Sequence, residues 1–316
     1  CSFRHHYEKS NWLRLARREV RSRGALGRVK TLAIDIGGTK FSVAGFKDTQ
    51  LVLRESRTTD RDGGPEWLVG QIAEITGAWR LDHKFIPDRV GIGFGGPVDF
   101  LSQTVTLSTH VGGWAGFPLL NRMESLFGVR PVMDNDANVG GLGEYRFGAG
   151  QRCDPLFYMT LSTGIGGGII YRGDVLRGAD SFAGELGHHC ILPDGPLCLC
   201  GSHGCLERMC CGLWLERDYG KSVKDLLLDE EFVRGYVVNL ARGLKSVIMI
   251  LNPQRIVIGG GISKAGDRLF GPLRTELRRQ ITSWSRARID VVPAELGDDS
   301  VLYGAVTLAA SPVISP

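Results

Sequence analysis

The sequence predicts an α/β protein made of two halves that share one plan. A buried strand, a Ser/Thr-Gly turn and a second strand occur twice, within residues 31–46 and 156–170, about 125 residues apart. Apolar strand patterns alternate with amphipathic helical patterns along the rest of the chain. Asp and Asn residues stand where a strand meets a helix, which is where open α/β sheets bind ligands. We therefore expect an internally duplicated fold with a ligand between its halves.

Length and composition agree with this expectation. A chain of 316 residues has room for two domains. Its 43% hydrophobic and 23% charged residues are typical of a soluble globular protein, whereas its 44 glycines are unusual. Because glycine alone enters positive φ without steric cost, their clusters indicate sharp turns or backbone that approaches a ligand.

The net charge of +4 is unevenly distributed. Residues 1–30 carry nine Lys/Arg against two Glu, and the rest of the chain carries 29 against 32. The body is therefore mildly acidic and gives no sign of a nucleic-acid surface. The basic arm, residues 1–30, has apolar residues that fit one side of a short helix: Trp12, Leu13, Leu15, Ala16 and Val20. A solvated or dimer-docking helix and a DNA contact are both open interpretations.

The sequence lacks the patterns of membrane-spanning, secreted and disulfide-rich proteins. No apolar run reaches the roughly 18 residues of a membrane span, and no signal-peptide core precedes Thr31. The eight cysteines show no disulfide framework, because Cys1, Cys153, Cys190 and the Cys210-Cys211 pair have no evident partners. We expect a cytoplasmic protein that contacts no membrane.

The first hairpin contains Asp35-Ile-Gly37-Gly38-Thr39-Lys40 between two apolar strands. The glycines leave backbone N–H groups and the Thr39 hydroxyl free to face a phosphate, and Asp35 can hold Mg²⁺ through water. A plain hairpin turn would explain the glycines. It does not explain a carboxylate in the middle of an apolar strand, where an unpaired charge is costly.

The second hairpin repeats this chemistry at Ser162-Thr163-Gly164-Ile-Gly-Gly-Gly168. Together the two turns predict a nucleotide between the halves, with its phosphates on Gly37, Gly38, Thr39, Lys40, Thr163 and Gly164. A third Gly-rich turn follows the strand that begins at Arg255, and Gly260 and Gly261 are candidates for the floor under an adenine ring.

The remaining elements follow from periodicity and stop signals. Apolar residues recur at helical spacing from Glu66 to Trp79, and a proline two residues after Leu251 ends a long helix that begins near Phe232. Further helices are predicted over 119–127, 139–146, from about 213, over 269–281 and over 302–310, and further strands over 89–94, 129–133, 255–259 and 289–293. The glycines Gly95 and Gly96 either allow close packing or let a substrate approach the main chain.

The motif Asp134-Asn135-Asp136-Ala-Asn138 stands between a strand and a helix of small residues. Asp136 is the candidate general base, with Asn135 orienting a hydroxyl. The alternative is a simple N-cap, since Asp and Asn are favoured in that position. Spacing alone does not decide between them.

A metal site is predicted from His188, Cys198, Cys200 and Cys205. One imidazole and three thiols in a Gly-rich loop are a ligand set that tetrahedral Zn²⁺ accepts, although the thiols could also be buried as small hydrophobes. Glu185 and Glu207 are interleaved with these ligands, and a metal would hold both carboxylates still.

Taken together, the chain resembles the ROK family of sugar kinases and repressors, in the actin-like ATPase superfamily, from Thr31 to Ala310. The residues that carry the resemblance are Asp35–Lys40, Asp134–Asn138, Ser162–Gly168, Gly184–His188, Cys198–Cys205 with Glu207, and Ile258–Ser263. It implies two actin-like, ribonuclease H-like α/β domains with a cleft between them: a small one, residues 31–133, completed by a C-terminal helix near 302–316, and a large one, residues 134–301, with a zinc loop at 184–207.

The resemblance also implies roles. Asp136 becomes the catalytic base, Asn135, Glu185, His188 and Glu207 become sugar ligands, Gly96 borders the sugar, and His188 also binds a structural zinc. ATP, Mg²⁺ and a homodimer are implied as well. The expected reaction is phosphoryl transfer to a hexose, at the 6-hydroxyl.

Two alternatives remain at this stage. Gly96-Pro97-Val98-Asp99 is similar to glucokinase-like members and favours glucose, whereas His110 and the Gly-Ser-His-Gly run before Cys205 favour an amino sugar or an N-acylated hexosamine such as N-acetylmannosamine. A sugar-sensing repressor of the same family would keep the sugar pocket and the zinc loop. Asp136 and both phosphate hairpins favour catalysis.

Overall fold

The computed structural model describes residues 28–106 and 112–311. Most of the basic arm, the segment around His110 and the last five residues lie outside these ranges. Twelve strands are formed within them: β1 (Lys30–Ile36), β2 (Lys40–Lys47), β3 (Gln50–Thr58), β4 (Arg89–Phe94), β5 (Val98–Asp99), β6 (Thr104–Val105), β7 (Val132–Asn135), β8 (Leu156–Leu161), β9 (Ile165–Tyr171), β10 (Asp174–Val175), β11 (Arg255–Gly259) and β12 (Val291–Pro293).

Nine α-helices are described alongside the strands: α1 (Gly64–His83), α2 (Leu119–Phe127), α3 (Asp136–Phe147), α4 (Leu206–Cys210), α5 (Gly212–Tyr219), α6 (Val223–Leu226), α7 (Glu230–Ile250), α8 (Asp267–Ile281) and α9 (Ser300–Ala310). Three short 3-10 helices occur at Leu186–His188, Ile262–Ala265 and Gly297–Asp299. Among the described residues no helix is both long and apolar enough to cross a bilayer.

Two five-stranded sheets repeat one topology. Their strand orders are β3-β2-β1-β4-β7 and β10-β9-β8-β11-β12. In each sheet the first three strands in sequence form an antiparallel meander, and the fourth and fifth add in parallel to the first. The predicted α/β class is confirmed, and the repeated sheets start from the two hairpins that the sequence contains twice.

Several element bounds differ from the sequence prediction. The third strand, β3, was not predicted, because its charged residues Arg54, Glu55 and Arg57 mask the period-two pattern. Helix α3 begins three residues earlier than predicted, at Asp136, since the side chain of Asn135 caps it. Its glycines and asparagine weaken the helical periodicity at that end.

Helices α3 and α9 lie between the two sheets. Ala33 of β1, Tyr158 of β8 and Leu302 of α9 belong to one buried apolar cluster, separate from the two cores that cover the outer faces of the sheets. The carboxylate of Glu144 on α3 is fully buried and accepts hydrogen bonds from Leu296 N (3.0 Å) and Ser300 Oγ (2.7 Å). This contact holds the start of α9 on α3.

The crossing of these helices depends on glycine. A Cβ at Gly304 of α9 would overlap the carbonyl oxygen of Val139 on α3. We expect Gly304→Ala to lower the free energy of unfolding by about 1–3 kcal/mol or more, because backbone atoms cannot yield as a flexible side chain does. Gly77→Ala is the matched control, since Gly77 lies in α1 with open space around it and should gain stability. Thermal unfolding midpoints measure both, and equal shifts would contradict the prediction.

Candidate functional site

The turns of the two hairpins face each other across the space between the sheets. The hydroxyl oxygens of Thr39 and Thr163 are 3.5 Å apart. The first turn is held by a hydrogen bond from Gly37 N to Lys40 O (3.1 Å), and the carbonyl of Gly37 accepts from the hydroxyl of Thr59 (2.8 Å). The structure thus brings Gly37, Gly38, Thr39 and Lys40 opposite Thr163 and Gly164.

The third Gly-rich turn lies beside the second hairpin. Gly260 has φ +86° and packs its α-carbon against the carbonyl of Leu161, where a side chain could not fit. A Cβ at Gly261 would lie 3.9 Å from Ser162 Oγ. Gly260 and Gly261 therefore border the same space as Thr163 and Gly164.

The glycine run at the start of β9 has a packing role. Gly167 lies against the carbonyl of Gly184, and Gly168 lies against the carbonyl of Ala137 in α3. A side chain at either position would separate the segment before Glu185, or the first turn of α3, from the sheet. These two glycines hold other site elements close together.

Asp35 and Asp136 lie at the carboxyl edge of the parallel strands of the first sheet. Asp35 is the penultimate residue of β1, and Asp136 is the first residue of α3, directly after β7. Gly95, at the end of β4, donates its N–H to Ile36 O (2.8 Å), and a Cβ on it would lie 3.5 Å from Asp136 Oδ2. Glycine at position 95 thus keeps the space beside the Asp136 carboxyl open.

Burial raises the pKa of both carboxyl groups to about 7. For Asp136, the amide of Ala137 opposes the effect of burial and the charge of Glu185 adds to it. For Asp35, the charge of Asp136 adds to burial and Lys40 opposes it. A carboxyl group that titrates near neutral pH in a cleft is suited to accept a proton.

The N-cap of α3 is Asn135. Its Oδ1 accepts from Ala137 N (2.9 Å) and Asn138 N (3.3 Å), and its Nδ2 donates to the carbonyl of Gly96 (3.1 Å). The motif therefore does form an N-cap, through Asn135, and Asp136 is the first residue of the helix. The hydrogen bond to Gly96 ties the turn after β4 to the turn that carries Asp136.

Glu185 lies near Asp136 and also near His188 and Glu207, since their charges act on one another. Glu207 Oε2 accepts from Ile165 N (2.9 Å), which ties the first turn of α4 to the second hairpin. Burial raises the pKa of Glu185, His188 opposes that effect and Glu207 adds to it. Glu185 is therefore within electrostatic reach of His188, Glu207 and Asp136.

The four predicted metal ligands converge. The donor atoms of His188, Cys198, Cys200 and Cys205 all lie within 4.8 Å of one another. Cys200 Sγ and Cys205 Sγ are 3.6 Å apart, close to the roughly 3.8 Å that two thiolates span in a tetrahedral zinc site, and His188 Nδ1 is 3.9 Å from Cys198 Sγ. Donor set and separations fit Zn²⁺. Since all four positions are filled by protein, such a metal would be structural.

Three charged residues that sequence reasoning missed lie at or near the site: Asp298, Lys264 and Arg177. Asp298 pairs with Lys264 (2.8 Å) and with Lys40 (3.5 Å), and its charge acts on Asp35. Arg177 pairs with the buried carboxylate of Asp134 at 2.8 Å. No local pattern marks these residues. Asp298 lies 258 positions from Lys40, so only the sheet order brings the two together.

Repeated sheets, facing turns and carboxyl groups at the strand ends place the protein in the actin-like class of duplicated α/β folds. The chain belongs to the ROK family, whose sequence model matches residues 31–311.

Three proteins that are similar to this chain are sugar kinases by name. The glucokinase of Thermotoga maritima is 34% identical over 310 residues, which cover 89% of this chain and 97% of that protein. An N-acetylmannosamine kinase of Yersinia pestis is 30% identical over 294 residues and covers 89% of this chain and 98% of its own. The crystal structure of a ROK family glucokinase from Streptomyces griseus with glucose and AMPPNP superposes with a TM-score of 0.77 at 30% identity, over 89% of this chain and 99% of that one.

Proposed function

We propose that this ATP-dependent sugar kinase of the ROK family transfers the γ-phosphoryl group of ATP to the 6-hydroxyl of a hexose, with glucose as its preferred substrate. The observation that carries the proposal is the Asp136 carboxyl group. It stands at the start of α3 with a pKa of about 7, feels the charge of Glu185, and lies beside Gly95, which has no side chain to cover it. That is the position a general base needs between a sugar and a phosphate.

In this mechanism Asp136 accepts the proton of the attacking hydroxyl. The two hairpin turns donate N–H groups to the phosphates, and Lys40 adds positive charge from the first turn. Mg²⁺, held through water near Asp35, would offset phosphate charge when bound, and the carboxylate oxygen of Asp35 is the ligand type this ion prefers. Gly260 and Gly261 would let an adenine ring approach the main chain.

The sugar would be held by the surface that the zinc site supports. Glu185 lies three residues before the ligand His188, and Glu207 lies two residues after the ligand Cys205. Bidentate carboxylates bind neighbouring sugar hydroxyls and reject substrates that lack them. A metal on His188 and Cys205 would keep both carboxylates in place.

Substrate identity is tested by a panel of sugars. Glucose is proposed first because the chain is 34% identical to the glucokinase of Thermotoga maritima and 30% identical to the N-acetylmannosamine kinase of Yersinia pestis. We expect kcat/KM to rank glucose above mannose, glucosamine, N-acetylglucosamine and N-acetylmannosamine. A higher value for N-acetylmannosamine would favour the alternative substrate class. The His110 segment that first suggested that class lies outside the described residues.

The repressor alternative predicts a different behaviour. A repressor should be retained on DNA at moderate salt and should release no ADP when sugar is added. We expect the opposite, because the carboxyl groups and facing turns that phosphoryl transfer needs are all present. The homodimer implied by the family resemblance stays a prediction that the mass in solution tests.

The pH dependence of kcat/KM should follow the ionisation of Asp136. A base must be deprotonated to accept a proton, so with a pKa of about 7 the rate should fall as pH drops through 7 and level off above it. At pH values below this pKa we expect kcat/KM to fall about tenfold per pH unit. Saturating Mg²⁺ keeps Asp35 ionised during the measurement. A flat profile from pH 5 to 8 would argue against Asp136 as the base.

A further inference from the structure

An ion pair between a half-buried arginine and a buried carboxylate joins the two halves of the protein beside the candidate base. Asp134 lies in β7 of the first sheet, and its carboxyl group is 1% exposed. Arg177, which follows β10 of the second sheet, donates from Nε to Asp134 Oδ2 at 2.8 Å. The guanidinium carbon of Arg177 also lies 3.5 Å from the centre of the Phe100 ring. Burial of an unpaired carboxylate costs free energy of folding, and Arg177 offsets that cost for Asp134.

The second oxygen of Asp134 holds the first turn of α3. Asp134 Oδ1 accepts from Asn135 N (2.7 Å) and from Asn138 Nδ2 (3.0 Å), the residues on either side of Asp136 and Ala137. Asn135 in turn caps the helix. A single carboxylate therefore fixes the backbone immediately before Asp136 and the side chain two residues after it.

Arg177 begins the segment that leads to the candidate sugar ligand Glu185. The segment closes on itself through a hydrogen bond from Ala183 N to Arg177 O (2.9 Å). It is tied to the first half a second time, since Phe100 N donates to Ser181 Oγ (3.2 Å). The backbone at Ser181 has φ +63°, which a non-glycine residue adopts only where its surroundings hold it.

We infer that the Arg177–Asp134 pair is a positioning device that holds the turn bearing Asp136 in register with the segment bearing Glu185. The inference rests on the proposed function of these two residues as base and sugar ligand. A buried ion pair contributes less to stability than a well-packed apolar pair, whereas its directional hydrogen bonds specify geometry. Arg177 contacts neither reacting group, so its effect on turnover is transmitted through Asp134.

The test compares kcat with sugar binding in four variants: Arg177→Met, Asp134→Asn, the double variant and the control Arg146→Met. Arg146 is an exposed residue of α3. Its guanidinium lies over the ring of Tyr145, as that of Arg177 lies over the ring of Phe100. We expect Arg177→Met to lower kcat about 10- to 100-fold, as a small misplacement of a catalytic group does. The sugar dissociation constant, measured by titration calorimetry, should change by a smaller factor than kcat does, and the control should match the wild type.

The double variant shows whether Arg177 and Asp134 affect kcat as a coupled pair or independently. If the residues act as one unit, kcat of the double variant should be no lower than that of the worse single variant. A kcat equal to the product of the two single effects would overturn the inference, as would a kcat of Arg177→Met within twofold of the wild type.

If Arg177→Met does not fold, the variant Arg177→Lys tests the inference instead. Arg177→Lys keeps the positive charge but loses the planar guanidinium, so it should fold with kcat lowered severalfold. A folded Arg177→Lys with wild-type kcat would overturn the inference. Failure of the proposed function is distinguishable, because the wild type itself would then release no ADP in response to sugar.

Discussion

Asp136→Asn is expected to lower kcat by about 10²–10⁴-fold, the usual contribution of a general base. The sugar dissociation constant should change less than about threefold, because Glu185, Glu207 and His188 remain in place. Sugar-dependent ADP release and titration calorimetry measure the two quantities separately. Turnover within tenfold of the wild type would show that another group accepts the proton.

The same substitution should stabilise the protein, and more so at high pH. The pKa of Asp136 is raised from 3.8 to about 7 in the folded state, so the folded protein holds a proton that the unfolded chain releases. Wild-type stability therefore declines as pH rises towards 7 and stays low above it. Asparagine carries no such penalty, and its gain should be about 2 kcal/mol larger at pH 8.5 than at pH 5.5.

Asp99→Asn is the control for that comparison. Hydrogen bonds from Ser102 lower the pKa of Asp99, so this group is ionised at both pH values in the folded and unfolded states. Its substitution should shift the unfolding midpoint equally at pH 5.5 and pH 8.5. A pH-independent gain for Asp136→Asn would show that burial does not raise the pKa of that carboxyl group.

Loss of the candidate metal site should weaken sugar binding more than it slows turnover. Cys205 is fully buried, and Glu207 follows it by two residues at the start of α4. We expect Cys205→Ser to be purified without zinc, to melt at lower temperature and to raise the sugar KM about 10- to 100-fold, the range seen when support of a site is removed. Metal content, thermal unfolding and steady-state kinetics provide three independent measurements.

Cys190→Ser is the matched control for the metal prediction. Cys190 is exposed, lies in the same loop and pairs through its backbone with Cys205, yet its thiol is outside the ligand cluster. This variant should keep its zinc and its sugar KM. If Cys205→Ser kept both as well, Cys205 would not be a zinc ligand.

Local chemistry made much of the candidate site predictable. Gly37, Gly38, Thr163 and Gly164 form turns because their residue types favour them, and each turn is enclosed within a single hairpin. The spacing from His188 to Cys205 predicted the convergence of four metal donors, because the loop that closes them is short. Asp136 was identified as a candidate for the same reason, although its role and that of Asn135 as helix cap could not be separated by spacing.

Contacts between distant parts of the chain could not be predicted in this way. The sequence by itself determined the α/β class, the duplicated hairpins, the acidic strand ends and the candidate metal-ligand set, since each depends on residues a few positions apart. Only the tertiary structure decided that Arg177 meets Asp134, that Asp298 meets Lys40 and Lys264, and that Gly304 crosses Val139. The reason is physical: local periodicity specifies strands and helices, whereas the order of strands in two sheets sets which distant side chains share a buried space.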